Sequence, residues 1–481
     1  MILLYILLGL LGVIVILLLV AYVRMLFLKA PVIVCANDID FTKANEYGLK
    51  FSEMIKIKTI SYNSDEDNKE QFILLKAKMK ELFPQVFSSM EIKEFKGESL
   101  ILKWKGKSAD KSLVLMSHID VVPAVDSEWK YPPFSGKIVD GELYGRGALD
   151  TKSTVFAFYQ ACEELIASGY TPEHDIYLAS STDEETSGFG AQLTVDWLRE
   201  QNVKPFLVVD EGGTVLSNSL PSVSQPMAVI GILEKGYVDI KLTAKSFGGH
   251  SSTPPKNTPI ARLSALVNDI ENNFPLKTKM IKEVEMIFKT AAPSMKGIYK
   301  YLFGNMWLFK GLLTKILPKL SPFGRALLST TIAFTMMKGS DAANVIPAEA
   351  YVIANLRTHP IQNVEESFAV IKKIAEKYEV EAEIIDQRDT SKIVDINNPG
   401  YKYLEMIINK AFPDAIVSPY IMLGGTDCRF YSEISDAALR FSPIRMDNEE
   451  LKKIHGNNET IKVNSLVEAI YFYQELIRNN I

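Results

Sequence analysis

The most informative segment of the chain is residues 176–187, Ile-Tyr-Leu-Ala-Ser-Ser-Thr-Asp-Glu-Glu-Thr-Ser. It begins as a short apolar run, which is typical of a buried strand, and it ends in two adjacent carboxylates, Glu184 and Glu185. Two neighbouring negative charges at a strand end repel each other and lose hydration. We therefore expect a positive partner beside them, and a metal ion is the partner that the rest of the sequence favours.

Other histidines and carboxylates follow apolar runs on either side of this segment. His118 comes directly after the strand-like run 113–116, and Asp210 comes directly after 206–209. Because open α/β sheets place their sites at the carboxyl ends of the strands, we expect these side chains to converge. Imidazoles and carboxylates are the ligands of two-metal hydrolase sites. The candidate site residues are His118, Asp120, Asp150, Glu184, Glu185, Asp210, Glu211 and His455.

Strand-like and helix-like patterns alternate around these residues. Strands are predicted at 100–104, 112–117, 175–180 and 206–209, and helices at 153–167 and 190–201. This alternation predicts a mixed α/β fold with a largely parallel sheet and helices on both faces. From residue 237 the order strand–helix–strand occurs twice, which predicts an inserted α+β domain. The predicted division is a catalytic domain at 36–235 and 389–481, interrupted by an insert at 236–388.

The N-terminus is strongly apolar. Residues 1–23 contain no charged side chain, and as a helix they would span ~33 Å, about one hydrocarbon core. A cleaved signal peptide is the alternative, but no basic residue precedes the run and no Ala-x-Ala site follows closely. We predict a single-pass membrane anchor at residues 1–29. Arg24 and Lys29 favour a cytoplasmic body by the positive-inside rule, although two charges leave the side open.

Composition excludes several classes of protein. The 481-residue chain is 47% hydrophobic and 23% charged, and its net charge of -5 predicts no nucleic-acid partner. Three cysteines, Cys35, Cys162 and Cys428, are too few and too scattered for a disulfide framework or a thiolate zinc site. A lipoprotein attachment site at Cys35 is not predicted, because the bulky Val34 precedes it.

Residues 285–335 form an unusual segment within the predicted insert. No acidic residue occurs between Glu285 and Asp341, and lysines alternate with Leu, Ile, Phe, Tyr and Trp. Such basic, amphipathic helices suit an anionic membrane surface or an apolar substrate channel. An ordinary helical pair packed on the insert is the alternative.

Six motifs, taken in order, resemble the aminoacylase and carboxypeptidase G family of di-zinc metallopeptidases, and within it the carboxypeptidase S and N-fatty-acyl-amino-acid synthase/hydrolase branches. The resemblance covers roughly residues 40–480 and includes the runs 305–309 and 344–347. The motifs are Ser117-His-Ile-Asp-Val-Val-Pro123, Tyr144-Gly-Arg-Gly-Ala-Leu-Asp-Thr-Lys152, Thr182-Asp-Glu-Glu-Thr186, Val209-Asp-Glu-Gly-Gly213, Gly248-Gly-His-Ser-Ser252 and Gly424-Gly-Thr-Asp427.

The resemblance implies two Zn²⁺ ions in a zinc-peptidase type of fold. One zinc would take His118, Asp150 and either Asp210 or Glu211. The other would take Asp150, Glu185 and His455, so that Asp150 bridges the pair. A cis peptide bond is expected after Asp150. Asp120, two residues after His118, would accept from its second ring nitrogen and orient the imidazole.

The resemblance also implies the catalytic groups. Glu184 would act as general base toward a zinc-activated water. His250, supplied by the partner subunit, would stabilise the oxyanion. The insert would thus serve as a lid and dimerisation domain. The residues expected to bind the α-carboxylate of a small-molecule substrate are Arg357, Asn344, Gly424, Gly425 and Thr426.

The leading hypothesis is therefore a membrane-anchored hydrolase of an amide bond next to a free carboxylate. Its substrates would be short peptides or N-acyl amino acids, and the apolar basic segment favours a long acyl group. Two alternatives are a non-catalytic membrane-anchored binding protein that keeps the fold, and a single-metal esterase or deacetylase.

Overall fold

The computed structural model describes residues 1–31, 39–62, 68–95 and 99–481. Cys35 and the first residues of the predicted catalytic domain lie outside the described residues. In chain order, the strands are β1 (Glu91–Glu94), β2 (Leu100–Trp104), β3 (Ser108–His118), β4 (Lys137–Val139), β5 (Glu142–Tyr144), β6 (His174–Ser181), β7 (Leu207–Asp210), β8 (Val215–Leu216), β9 (Met227–Glu234), β10 (Gly236–Lys245), β11 (Gly249–His250), β12 (Thr331–Lys338), β13 (Val345–Ile346), β14 (Glu349–Thr358), β15 (Glu381–Arg388), β16 (Ile416–Met422), β17 (Ala438–Arg440), β18 (Arg445–Met446) and β19 (Thr460–Lys462).

The helices follow the sequence patterns closely in the first half of the chain. In chain order, they are α1 (Ile2–Phe27), α2 (Ala44–Ile55), α3 (Lys69–Leu82), α4 (Pro84–Ser89), α5 (Lys152–Ala167), α6 (Gly190–Glu200), α7 (Pro259–Asn272), α8 (Lys282–Ala291), α9 (Gly297–Phe303), α10 (Met306–Leu320), α11 (Pro322–Leu328), α12 (Val364–Glu376), α13 (Pro399–Ala411), α14 (Cys428–Tyr431), α15 (Asn448–Leu451) and α16 (Val463–Arg478).

A mixed ten-stranded sheet forms the centre of the molecule. Its order is β1-β2-β6-β3-β7-β17-β9-β8-β18, and β16 also pairs with β9. Within this sheet β6 runs parallel to β3, β3 to β7 and β7 to β17, and β16 runs parallel to β9. Strand β6 is buried along its whole length, as a strand covered on both faces should be. The predicted mixed α/β fold with a largely parallel sheet is confirmed.

Helices pack on both faces of this sheet. On one face α5 is buried through most of its length, and the ring of Phe156 lies 5.3 Å from that of Phe51 and 5.9 Å from that of Phe83. On the other face α6 and α14 pack through Val195, Leu198 and Tyr431. Each fully buried aliphatic or aromatic side chain contributes roughly 1.5–3 kcal/mol, so these two layers of helices stabilise the sheet.

A second, four-stranded antiparallel sheet has the order β12-β14-β10-β15. Strand β10 buries alternate residues beneath α7 and α12, which is the pattern of a sheet with one covered face. Strand β12 begins at Thr331, inside the segment that the sequence indicated to be helical to residue 335. The alternating Thr331-Ile-Ala-Phe pattern explains the difference, because these residues pair with β14 as a strand.

Helices α8–α11 do not pack on the second sheet. Their apolar residues, including Phe288, Phe303 and Leu313, form a cluster with Val229 of β9 and Ile421 of β16. The rings of Phe288 and Phe303 stack with centroids 4.7 Å apart. The basic, apolar segment is therefore an addition to the outer part of the central sheet.

Helix α1 is long and apolar enough to cross a membrane by length and composition, and a signal sequence would pass the same test. Its side chains are exposed almost throughout; Ala21 is its one buried residue. It contacts the protein body through α9 and the residues that follow α9.

Candidate metal centre

His118 is the last residue of β3 and lies at the carboxyl edge of the sheet. Its Nε2 atom is 3.1 Å from Oδ1 of Asp150 and 3.4 Å from Oε1 of Glu211. On the other side of the ring, Nδ1 lies 3.0 Å from the main-chain oxygen of Asp120 and 3.3 Å from its Oδ1. The Nδ1 contacts favour a proton on that nitrogen and leave Nε2 free to bind a metal.

His455 approaches the same aspartate from the opposite side. Its Nε2 atom lies 3.0 Å from Oδ2 of Asp150 and 2.9 Å from Oε2 of Glu185. The two oxygens of the Asp150 carboxylate therefore face one imidazole each. The structure thus brings together two neighbouring groups of donors that share a single carboxylate.

The backbone at Asp150 is held by a buried glutamate. The Asp150–Thr151 peptide bond is cis, as expected. Glu459 accepts hydrogen bonds from the backbone N–H groups of Gly147, Leu149 and Asp150 at 3.1, 2.6 and 3.1 Å. Its Oε2 also forms an ion pair with Arg146 at 2.8 Å. This buried carboxylate lies 309 residues further along the chain than Asp150 and fixes the backbone of the loop that carries Asp150.

Asp120 contacts other parts of the site besides the His118 ring. Its carboxylate accepts hydrogen bonds from the backbone N–H groups of Glu184 and Glu185 at 3.3 and 3.1 Å. It also accepts from the hydroxyl of Ser61 at 2.7 Å. One buried side chain therefore positions the imidazole on β3 and the 3-10 turn Glu184–Thr186 that follows β6.

Asp210 and Glu211 differ in where their carboxylates point. Asp210 is buried and accepts from the backbone N–H groups of Glu211 and Cys428, both at 2.8 Å. Glu211 instead lines the pocket and lies against His118. Of the two, Glu211 is the one that the geometry brings to the donor cluster, and Asp210 ties β7 to the first residue of α14.

Excess negative charge shifts the titration of these groups. Burial raises the pKa of Glu211 to about 8, against the opposing effect of His118. Burial raises the pKa of Glu184 well above its usual range, and the carboxylates around it add to the effect. Hydrogen bonds to Asp150 and Glu185 raise the pKa of His455 to about 10. A cluster that retains protons in this way is one that a divalent cation would stabilise.

The donor set fits a metal such as zinc. Donor atoms of His118, Glu184 and Glu211 lie within 4.8 Å of one another, as do those of His118, Asp150 and Glu185. Oε1 of Glu185 is buried and has no hydrogen-bond partner among the described residues. Nitrogen and carboxylate oxygen donors suit Zn²⁺, and an unpartnered buried oxygen suits a ligand position.

A pocket of about 270 Å³ lies over these donors. Its walls include Glu184, Glu185, His455 and the loop from Gly424 to Thr426. The Thr426 hydroxyl donates to Glu234 at 2.8 Å, and the same Glu234 oxygen accepts from Nε of Arg440 at 2.7 Å. The buried ion pair between Glu234 and Arg440 therefore holds Thr426, and with it the loop, in place relative to the sheet.

Three predicted residues line no part of this pocket and contact none of the donors. His250 is exposed in the short strand β11, within what the sequence indicated to be a loop, and its Nδ1 contacts Ser252 at 2.8 Å. Asn344 is exposed beside β13, the partner of β11. The guanidinium of Arg357, on β14, lies 4.8 Å from the ring centroid of Tyr237. Within this one chain the donors and these three groups are not brought together.

Sequence reasoning missed Glu459 and Arg146 as parts of the site. Arg146 lies inside one of the quoted motifs, so its position was visible although its role was not. Glu459 follows His455 by four residues, and no local pattern distinguishes it from a surface glutamate. Its role becomes apparent only from contacts with residues far away in sequence.

The sheet, the donors at its carboxyl edge and the pocket above them define the class of α/β metallohydrolases. A family model for Peptidase family M20/M25/M40 matches residues 114–479, and the chain belongs to this family. It is therefore an enzyme of the peptidase and amidohydrolase type.

Relatives with similar sequences cover most of the chain. The "N-fatty-acyl-amino acid synthase/hydrolase PM20D1" of Xenopus tropicalis is 35% identical over 89% of this chain and 84% of its own length. The human protein of the same name is 32% identical over 91% of this chain and 89% of its own. The "Probable carboxypeptidase S-like 2" of Dictyostelium discoideum is 32% identical over 90% and 85%.

Solved structures share the fold at lower identity. The M20 family metallo-carboxypeptidase Sso-CP2 from Sulfolobus solfataricus superposes with a TM-score of 0.66 at 20% identity, covering 90% of this chain and 98% of that one. Human carnosine dipeptidase 1 superposes with a TM-score of 0.63 at 15% identity, covering 90% and 96%. These structures support the architecture, and the sequence relatives support the family.

Proposed function

We propose that this protein is a membrane-anchored, zinc-dependent hydrolase that cleaves an amide bond next to a free α-carboxylate. The observation that carries the proposal is the sharing of Asp150. Its two carboxylate oxygens lie 3.1 and 3.0 Å from the Nε2 atoms of His118 and His455, in one pocket. That arrangement suits a carboxylate that bridges two cations.

Two zinc ions would be held by two sets of ligands with Asp150 in common. His118 and Glu211 complete one set, and Glu185 and His455 complete the other. Bound zinc supplies a Lewis acid that polarises the scissile carbonyl and lowers the pKa of water at the site. Asp120 holds the His118 ring and the Glu184–Glu185 backbone in the positions that binding of these ions requires.

Glu184 is the general base. Its side chain lines the pocket, and although its carboxylate lies within 4.8 Å of donor atoms of His118 and Glu211, we assign Glu184 to neither ligand set. Its carboxylate accepts a proton from the attacking water and delivers that proton to the leaving amine.

The substrate's α-carboxylate is recognised at the side of the pocket formed by Gly424, Gly425 and Thr426. Arg357, Asn344 and His250 lie outside the pocket in a single chain. We propose that the second sheet acts as a lid and dimerisation domain, so that the partner subunit supplies His250 to the oxyanion. Arg357 and Asn344 would then approach the carboxylate on closure.

The substrate class is either short peptides or N-acyl amino acids. The names of the relatives include both chemistries, a carboxypeptidase and an N-fatty-acyl-amino acid hydrolase. The added apolar helices α8–α11 favour a long acyl chain. We expect N-oleoyl amino acids to be cleaved faster than N-acetyl ones, and equal rates would contradict this preference.

The membrane anchor is α1. Its length and composition support a single span, and Arg24 and Lys29 favour a cytoplasmic catalytic body. Retention of the intact helix in the mature protein, checked by intact mass after membrane extraction, distinguishes an anchor from a cleaved signal sequence.

The central test is a comparison of wild type, Glu184→Gln and Glu70→Gln on dipeptides and N-acyl amino acids. We expect Glu184→Gln to retain its zinc and to lose at least ~100-fold in kcat, because the water loses its proton acceptor. Glu70 is an exposed residue of α3 and serves as the matched control. Unchanged turnover in Glu184→Gln would remove the assigned base.

Metal content separates the alternatives. Two zinc ions per active chain support the proposal, and one ion would favour a single-metal esterase or deacetylase. Zinc binding without turnover of any amide would favour a non-catalytic binding protein.

A further inference from the structure

The end of α1 docks against the motif at 305–309, which has no role in the proposed chemistry. The hydroxyl of Tyr301 donates to the main-chain oxygen of Leu18 at 2.9 Å. The side-chain amide of Asn305 donates to the main-chain oxygen of Ala21, also at 2.9 Å, and both Asn305 and Ala21 are buried. The helix is therefore attached to the protein body by specific contacts.

These contacts occur at a defined depth along α1. Ala21 lies three residues before Arg24, the first charged residue of α1, so the contact with Asn305 falls within one turn of the point where the uncharged part of the helix ends. Asn305 therefore lies where the hydrocarbon ends and the headgroups begin. The indole nitrogen of Trp307 donates to Oδ1 of Asn305 at 3.1 Å, so Trp307 lies at the same level. Tryptophan is enriched at that depth.

Helix α10, which starts at this level, presents apolar side chains outward. Trp307 and Leu312 are each 49% exposed, Ile316 is 37% exposed and Leu320 is 73% exposed. Leu312, Ile316 and Leu320 recur every four residues and therefore share one side of α10, whereas Trp307 lies on another side at the start of the helix; Leu313 is buried in the core. Phe323 of α11 and Ile298 of α9 extend the exposed apolar surface.

Cations accompany these apolar residues. Lys315 and Lys319 are exposed, each next in sequence to an exposed apolar residue of α10, and residues 286–340 contain no acidic side chain. Beside them lies a cavity of about 790 Å³ whose walls include Phe274, Lys279, Lys310, Lys315, Lys319 and Arg325. Within it only Lys310 has a carboxylate partner among the described residues, Glu285 at 2.6 Å. Apolar anchors flanked by cations suit an anionic lipid surface.

We propose that α9–α11 form an interfacial platform that lies on an anionic phospholipid bilayer beside the exit of α1. The inference rests on the proposed role of α1 as a membrane anchor. Trp307, Leu312, Ile316 and Leu320 enter the headgroup region, and the cavity and its lysines accept lipid phosphates. The catalytic body is thus held against the membrane by two attachments instead of one flexible tether.

The test uses the full chain reconstituted into lipid nanodiscs, with tryptophan emission quenched by brominated acyl chains. Wild type should be quenched, and Trp307→Phe should lose most of that quenching, because the other three tryptophans, Trp104, Trp129 and Trp197, lie in the catalytic part of the chain and Trp104 and Trp129 are buried there. Quenching of the Trp307 emission should be greater in discs that contain phosphatidylserine than in discs of phosphatidylcholine alone.

The double variant Lys315→Gln/Lys319→Gln tests whether the positive charges are required. Its Trp307 emission should be quenched equally in discs with and without phosphatidylserine. The matched control is Lys372→Gln/Lys373→Gln, because these exposed lysines lie on α12 of the second sheet. The Trp307 emission of this control should be quenched to the same extent as that of wild type in both lipids.

Failure of the proposed anchor and failure of the proposed platform give different results. A chain that does not enter the discs contradicts the proposed anchor and the platform with it. A chain that enters the discs while wild type and Trp307→Phe are quenched equally overturns the platform and leaves the anchor standing. Equal quenching of Trp307 in the two lipids overturns the anionic preference, and a chain that self-associates through α10 in the discs, with Trp307 unquenched, overturns the lipid assignment.

Discussion

Glu459 supports the loop that carries Asp150 and does not line the pocket. Its carboxylate satisfies three backbone N–H groups of the loop at 147–150 and the guanidinium of Arg146. Replacing it by glutamine places an amide N–H₂ against those donors and leaves Arg146 without its counter-charge. Breaking one partner of a buried pair costs roughly 3–5 kcal/mol.

We expect Glu459→Gln to lower the free energy of unfolding by about 3 kcal/mol and to weaken zinc binding about tenfold. The weakening follows because the loop that carries Asp150 loses its support. Urea denaturation and competitive zinc titration measure the two effects. Glu376→Gln, an exposed change on α12, is the control; a Glu459→Gln protein as stable as the control would refute the support assigned to this residue.

The Asp210–Glu211 pair allows a direct comparison of adjacent carboxylates. Glu211→Gln removes a donor that lies 3.4 Å from the His118 ring, so we expect the purified variant to lose zinc. Asp210→Asn keeps an oxygen that can accept from Cys428 N–H, so its zinc content should remain near that of wild type. Metal analysis after dialysis checks both; the reverse ranking would assign the ligand to Asp210.

At the scale of secondary-structure elements, Lys235 connects β9, β10 and α11. It lies between β9 and β10, and its Nζ donates to the main-chain oxygens of Ala326 and Ser329 at the end of α11, at 3.1 and 2.8 Å. Burial, with a smaller effect from Arg357, lowers the pKa of Lys235 to about 7. In the unfolded chain a lysine titrates near ~10.4.

The sign of the pH effect follows from that difference. Between pH 7 and pH 10 the unfolded chain binds the proton that folded Lys235 has lost, so stability rises with pH across this window. We expect wild type to gain about 2 kcal/mol more than Lys235→Met between pH 7 and pH 9. Urea unfolding at the two pH values measures the gain, with the exposed Lys256→Met as control. Equal gains in wild type and Lys235→Met would exclude Lys235 as the cause.

At the scale of the whole molecule, the separation of His250 from the pocket predicts complementation. His250→Ala keeps Glu184, and Glu184→Gln keeps His250, so each variant alone should be inactive. In an isologous dimer with exchanged subunits, one site in each mixed dimer is complete, and a 1:1 mixture should recover about a quarter of wild-type activity. Co-expression followed by kinetic assay measures this. Two variants that never rescue each other would show that each chain works alone.

The sequence predicted the central sheet and most of the donors because both depend on local patterns. An apolar run such as 113–116 marks a strand, and the residue after it falls at the sheet edge whatever the rest of the chain does. The choice between Asp210 and Glu211 could not be made this way, because it depends on a hydrogen bond to Cys428, which lies far along the chain. The packing of α8–α11 on β9 and β16 and the attachment of α1 to Asn305 are likewise long-range contacts without a local signature.

The long connection between Asp150 and Glu459 has a consequence for biosynthesis. The two are separated by 309 residues, and the ribosome makes the aspartate first. Until translation reaches the glutamate, the loop that carries the shared ligand has no acceptor for its N–H groups, and His455 is also missing. Under the proposed function, we therefore expect a chain that stops before His455 and Glu459 to lack hydrolase activity.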